Sequence, residues 1–154
     1  MGTTSGISFD NHVLRWYFVC CCFLILKLSF MSVLTTIKRV IHKAFASPED
    51  TKQMAVEPQV NENVERVRRA HLNDLENIPL FFVAGLIYTF ANPGETAAKV
   101  IFVVYVVTRY LHTIVYAVVP IPQPARALSW SVGYLINIYM AMYSLIHFLK
   151  SSSV

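Results

Sequence analysis

Along the 154-residue chain, apolar positions gather into four long runs, at approximately 13–37, 75–91, 97–119 and 126–149. An α-helix needs about 20 such residues to cross about 30 Å of hydrocarbon. The first run contains Lys27, the third holds Arg109 and His112, and only the fourth, over 128–149, lacks Asp, Glu, Lys and Arg altogether. The second run is short, but the charged residues before it keep a helical period, so one helix is predicted over 64–91. A long polar stretch with Pro48, Pro58 and many Glu, Gln and Asn separates the first two runs. The other connections are brief: "ANPGET" at 91–96 and "PIPQP" at 120–124 carry the Pro and Gly that end one helix before the next begins. Short connections force neighbouring helices antiparallel. The pattern therefore predicts an all-α membrane protein with a single membrane domain over 1–154. Its expected form is an up-down bundle of four transmembrane helices, at approximately 13–37, 64–91, 97–119 and 126–149, with a loop at 38–63.

Composition supports the membrane class: 55% of residues are hydrophobic, 14% are charged, and mean hydropathy is +0.49. A net charge of +4 would suggest nucleic acid in a soluble protein. Beside four apolar runs it reads as Lys and Arg flanking membrane helices, and no nucleic-acid partner is expected. Lys38, Arg39, Lys43 and Lys52 crowd the first loop, with Arg66, Arg68 and Arg69 just beyond it. The positive-inside rule then makes that loop cytosolic and places both termini on the opposite side. Cys20, Cys21 and Cys22 are consecutive within an apolar run, so they form neither a spaced metal site nor a disulfide framework, and no metal is expected. "AFAS" at 44–47 offers a signal-peptidase pattern, but Lys38, Arg39 and Lys43 intervene and cleavage is not expected. "MGTTSG" has Gly6 where an N-myristoylation signal wants Ser or Thr.

Ionisable residues inside membrane helices cost about 2.5–3.5 kcal/mol each on insertion scales, so they face the protein interior and often mark function. On the second helix Glu65, Arg69, Asn73 and Glu76 recur as one stripe, with Glu65 and Arg69 spaced for an ion pair. The charges of 65–76 cancel, Arg66, Arg68 and Arg69 against Glu65, Asp74 and Glu76, so the run also reads as a self-neutralising network. On the third helix Arg109, His112 and Tyr116 share a face; Arg126 heads the fourth, one turn before Trp130, and Arg39 lies near the same end. Facing stripes of this kind describe a pocket with several cations and one or two carboxylates. It suits a small zwitterionic or polyanionic ligand, because guanidinium groups grip carboxylates bidentately and a buried Glu can hold an ammonium. Glutathione and a phosphate head group both fit, and spacing leaves the choice open.

"ERVRRAHLNDLENI" (65–78) resembles the signature of the membrane-associated proteins of eicosanoid and glutathione metabolism, the MAPEG family. "KAFASPED" (43–50), "TRYLHTIVYAV" (108–118) and "PIPQPARALSWSVGY" (120–134) follow the same family in the same order, and the resemblance covers roughly 20–150. It implies a four-helix protomer assembled as a homotrimer, with glutathione between neighbouring subunits at the cytosolic face of the endoplasmic reticulum membrane, and the mitochondrial outer membrane as a second location. Carried over by position, Arg39, Arg68, Arg69, His71, Asn73, Glu76, His112, Tyr116, Arg126 and Trp130 match glutathione-site positions. Arg126 would stabilise the thiolate and Asp50 would assist proton transfer or support the site, while Glu65, Arg66 and Asp74 are left to hold helices together.

The implied activity is a glutathione transferase acting on hydrophobic electrophiles, with glutathione-dependent reduction of lipid hydroperoxides. A prostaglandin E synthase-like isomerase and a non-enzymatic lipid-binding protein are the alternatives. Leu72, Ala127 and Trp130 stand where the prostaglandin-synthesising branch has arginine, serine and tyrosine, so the transferase branch is the better match. Thr51 replaces that branch's reactive cysteine, which implies no activation by thiol reagents. Pro79 comes one residue early and the loop before Val64 is shortened, which implies an earlier bend in the second helix.

Overall fold

The computed structural model describes residues 11–47, 49, 51–52 and 59–151. Four long helices account for most of them: α1 His12–His42, α2 Glu62–Phe90, α3 Glu95–Thr113 and α4 Ala125–Ser151. A π-helical turn, Ile114–Val118, extends α3.

Local chemistry sets the ends. Asn11 caps α1, its Oδ1 accepting from the amides of Val13 (2.9 Å) and Leu14 (3.2 Å), and Asn61 caps α2 through the Asn63 amide (2.9 Å). Lys43 closes α1 in the left-handed region, with Ala44 N–H donating to the Arg39 carbonyl. Thus α1 continues five residues past the 37 predicted from apolarity. Its 31 residues span about 46 Å at about 1.5 Å each, longer than the hydrocarbon layer, so the turns carrying Lys38, Arg39 and His42 extend into the polar zone. α2 runs unbroken through Pro79.

Contacts between helix ends confirm the up-down order. His12 and Glu95 pair at 3.1 Å, and Lys99 sits 4.1 Å from the centre of the Trp16 ring, joining the starts of α1 and α3. At the other end Gln59 N–H donates to the Phe45 carbonyl, and Arg69 of α2 reaches Tyr116 beyond α3.

Three helical stretches, His12–His42, Glu95–Val118 and Ala125–Ser151, are long and apolar enough to cross a membrane. α2 falls short of that measure because its first half is the run of Glu, Arg and Asp read above, while its second half is apolar. The outward faces are apolar as well, including Phe23, Leu26 and Phe30 on α1 and Leu135, Leu145 and Leu149 on α4. Such an inside-out surface gives no hydrophobic drive between helices in lipid, so close packing and interhelical hydrogen bonds must hold them.

An aromatic core does the packing: Tyr17, Phe81, Phe102, Tyr105 and Tyr88 are buried, with Phe81 and Tyr105 stacked at 4.3 Å. Tyr17 packs against Gly85 and donates its hydroxyl to the Phe82 carbonyl at 2.6 Å. A Cβ at Gly85 would stand 2.9 Å from the Tyr17 ring, which Phe81 and Phe102 prevent from moving away. Gly85→Ala is therefore expected to lower stability by about 1–3 kcal/mol, the usual range for overpacking. Thermal unfolding in detergent reads it. Gly133→Ala is the control, because its nearest contacts at 3.6 Å are ordinary van der Waals distances, and an equal melting temperature for both variants would refute the steric argument.

Candidate functional site

Three charges meet in the middle of the bundle, one from each of the first three helices. Lys27 of α1, Asp74 of α2 and Arg109 of α3 are 2%, 0% and 1% exposed. Lys27 Nζ donates to Asp74 Oδ2, and Arg109 donates to Asp74 Oδ1 through both Nη2 and Nε. Arg109 Nη2 also donates to Asn73 Oδ1 at 2.8 Å. A charge-assisted clamp of this sort is what buried ions at this depth require. Close by, Tyr105 hydroxyl and Asn137 Nδ2 both donate to the Asn77 carbonyl, binding α3 and α4 to the α2 backbone near Pro79.

One turn towards the polar end, α2, α3 and α4 enclose a cavity of about 420 Å³ lined by Arg69, Leu72, Asn73, Glu76, His112, Tyr116, Arg126, Ala127 and Trp130. The π turn carries Tyr116, and two guanidinium groups converge on that one side chain. Arg69 Nε donates to its hydroxyl at 3.3 Å, and Arg126 lies over its ring at 4.6 Å. Arg69 also bonds Glu62, and its guanidinium stays cationic. His112 packs edge-on against Tyr116 at 5.7 Å, and its Nδ1 is buried without a partner among the described residues. Among the described residues neither Arg126 nor Glu76 enters an ion pair, which leaves one cation and one anion for a ligand.

The same α2/α4 cleft continues as an apolar groove of about 530 Å³, from Leu80 to Ile87 on α2 and from Tyr134 to Phe148 on α4. Leu80 is one turn beyond Glu76 and Tyr134 one turn beyond Trp130, whose ring it stacks on at 5.0 Å. Polar cavity and apolar groove thus adjoin.

Of the residues expected to form the site, Arg69, Asn73, Glu76, His112, Tyr116, Arg126 and Trp130 line one cavity. Arg39, Arg68 and His71 do not line it in this protomer, and Asp50 lies outside the described residues. Arg68 instead pairs with Glu65 at 2.9 Å. The expected Glu65–Arg69 pair is not formed: Arg69 swings towards Tyr116 and bonds Glu62, two turns back, at 2.5 Å. Nor is the run 65–76 self-neutralising, since Asp74 is committed to Lys27 and Arg109 on other helices. Arg109, assigned to the ligand face, is turned inwards by that carboxylate. Lys27 had no role in the sequence reading. Its signal was present all the same: Lys27 is the one charge well inside the first predicted span, and a buried ammonium there needs an anion from another helix.

Chemically, the cavity offers cations for carboxylate or thiolate and a carboxylate for an ammonium, with an apolar groove beside it. The model of the MAPEG family matches residues 17–146 of the chain. Microsomal glutathione S-transferase 1 of Mus musculus is 41% identical over 138 residues, covering 86% of this chain and 88% of its own. The Homo sapiens protein of that name is 43% identical over 121 residues, 75% and 77% of the two chains. Prostaglandin E synthase of Bos taurus is more distant, 33% identical over 141 residues, 90% and 92%. Family model, full-length relatives and the four-helix bundle agree: this chain belongs to the MAPEG family.

Proposed function

We propose that the protein is a membrane-bound glutathione transferase. The observation that carries the reading is the gathering of Arg69, Arg126, Glu76, Asn73 and Tyr116 around one cavity, with an apolar groove one turn further along the same two helices. The relatives named microsomal glutathione S-transferase 1 support it. In this reading Arg69 and the Asn73 amide take glutathione carboxylate, Glu76 takes its ammonium, and Arg126 faces the sulfur. His112, Tyr116 and Trp130 form the wall.

A guanidinium beside a thiol favours the thiolate, which is the nucleophile. The sulfur attacks the electrophilic carbon of a hydrophobic substrate arriving from the bilayer, a carbon–sulfur bond forms, and the leaving group departs with the electron pair. With a lipid hydroperoxide the thiolate takes the distal oxygen. The alkoxide released is protonated to an alcohol, and a second glutathione converts the sulfenic intermediate to disulfide and water.

The proposal includes a homotrimer in the endoplasmic reticulum membrane, its site facing the cytosol, with the mitochondrial outer membrane as a second location. Arg39, Arg68 and His71 then reach glutathione across a subunit boundary, and Asp50 supports the site from the loop.

An isomerase like prostaglandin E synthase fits less well for a specific reason. Leu72, Ala127 and Trp130, the three departures from that branch, all line the cavity. Purified protein in lipid nanodiscs is expected to bind glutathione saturably by calorimetry and to conjugate a chlorinated nitroaromatic. Endoperoxide turnover without conjugation would select the isomerase, and absence of saturable glutathione binding would remove both enzymes in favour of a lipid-binding protein.

A further inference from the structure

Lys27 lines no part of the cavity, yet it governs how the clamp meets it. Resting on the glutathione reading above, we infer that Lys27 is a positioning residue that acts from within the membrane, through Asp74 and Arg109, to aim the Asn73 amide at the ligand.

The geometry begins at Asp74. Lys27 occupies Oδ2, so both Arg109 donors, Nη2 and Nε, fall on Oδ1. An arginine facing a free carboxylate prefers the fork arrangement, two parallel bonds to two oxygens. Lys27 denies it that arrangement. The guanidinium is held off-axis, and its Nη2 extends to Asn73 Oδ1 at 2.8 Å. Arginine carries donors only, so the amide atom facing it must be the oxygen, and the Asn73 NH₂ points the other way. Asn73 also lines the cavity. The clamp therefore presents a donor, rather than an acceptor, to a ligand carboxylate.

Removing the Lys27 ammonium leaves Asp74 neutralised by Arg109, so no uncompensated charge is created. Oδ2 becomes free, the guanidinium closes on both oxygens, and Asn73 Oδ1 is released. The amide can then turn its oxygen towards the ligand carboxylate, where it repels.

A double-mutant cycle tests this: glutathione Kd by calorimetry for the wild type, Lys27→Met, Asn73→Ala and the double variant, all as full-length protein in one detergent. Losing a hydrogen bond to a charged group predicts about tenfold weaker binding for Lys27→Met. In the Asn73→Ala background the same substitution should change nothing. Lys27→Arg should restore wild-type affinity and Lys27→Gln should fall between Arg and Met, a graded series that stands even where Met is recovered poorly. An equal loss in both backgrounds, with a wild type that binds glutathione, overturns the inference and leaves the glutathione reading intact. No saturable binding by the wild type overturns both.

Discussion

Asp74→Ala is expected to cost about 3–5 kcal/mol and to yield little folded protein, because removing the shared partner of a buried ionic cluster strands the remaining charges. Two cations, Lys27 and Arg109, would face one another in the centre of the bundle without an anion between them. Neither can reach water, being almost wholly buried, and Arg109 cannot lose its proton. The substitution also unties three helices at once, since the same carboxylate links α1 and α3 to α2. Size-exclusion profiles and thermal unfolding in detergent read the effect. Glu65→Ala supplies the comparison: it removes a surface pair with Arg68, and such pairs contribute less than about 1 kcal/mol. Two variants of equal stability would show that the clamp does not hold the bundle.

The Asp74 cluster also shows where sequence reading reached its limit. Helix existence was legible because apolar runs of membrane length have few alternatives, as the charge-free stretch 128–149 illustrates. Their ends were less so: α1 runs on to His42 because its cap at Lys43, not loss of apolarity, stops it. The polar stripe was legible as well, since 3.6-residue spacing alone groups Arg69, Asn73 and Glu76. Which charge meets which was not. Period assigns a face, but the choice of Glu62 over Glu65 by Arg69 depends on Tyr116 pulling the side chain sideways. Spacing did put Glu76 on the cavity stripe and left Asp74, two positions before it, among the residues that hold helices together, but it did not tell which charges on α1 and α3 Asp74 would meet. Arg39, Arg68 and His71, which the family resemblance supplies, touch no part of the cavity in one protomer. In the proposed trimer they reach it from a neighbour, and no single-chain pattern encodes that.

Arg126→Ala is expected to slow conjugation at neutral pH about tenfold or more, by raising the glutathione thiol pKa by about 1–3 units, the range over which an adjacent guanidinium favours an anion. Arg126 suits this task because, among the described residues, no carboxylate pairs with it, and its position over Tyr116 fixes its direction. The sign follows from the ionisation. With the cation present the thiolate persists to lower pH; without it the thiolate is lost as pH falls through the raised pKa. The variant's rate should therefore climb with pH across a range where the wild type is flat, and the two should converge in alkali. The ultraviolet absorbance of bound thiolate should report the same displacement without any electrophile present. Lys150→Ala removes a cation from the last turn of α4, at the opposite membrane face, and should leave both readings alone. If Arg126→Ala instead weakened binding with an unshifted pH profile, the guanidinium would be holding a glutathione carboxylate. Activation of the sulfur would then pass to the next group on the cavity wall, the hydroxyl of Tyr116, which Arg69 already polarises by donating to its oxygen.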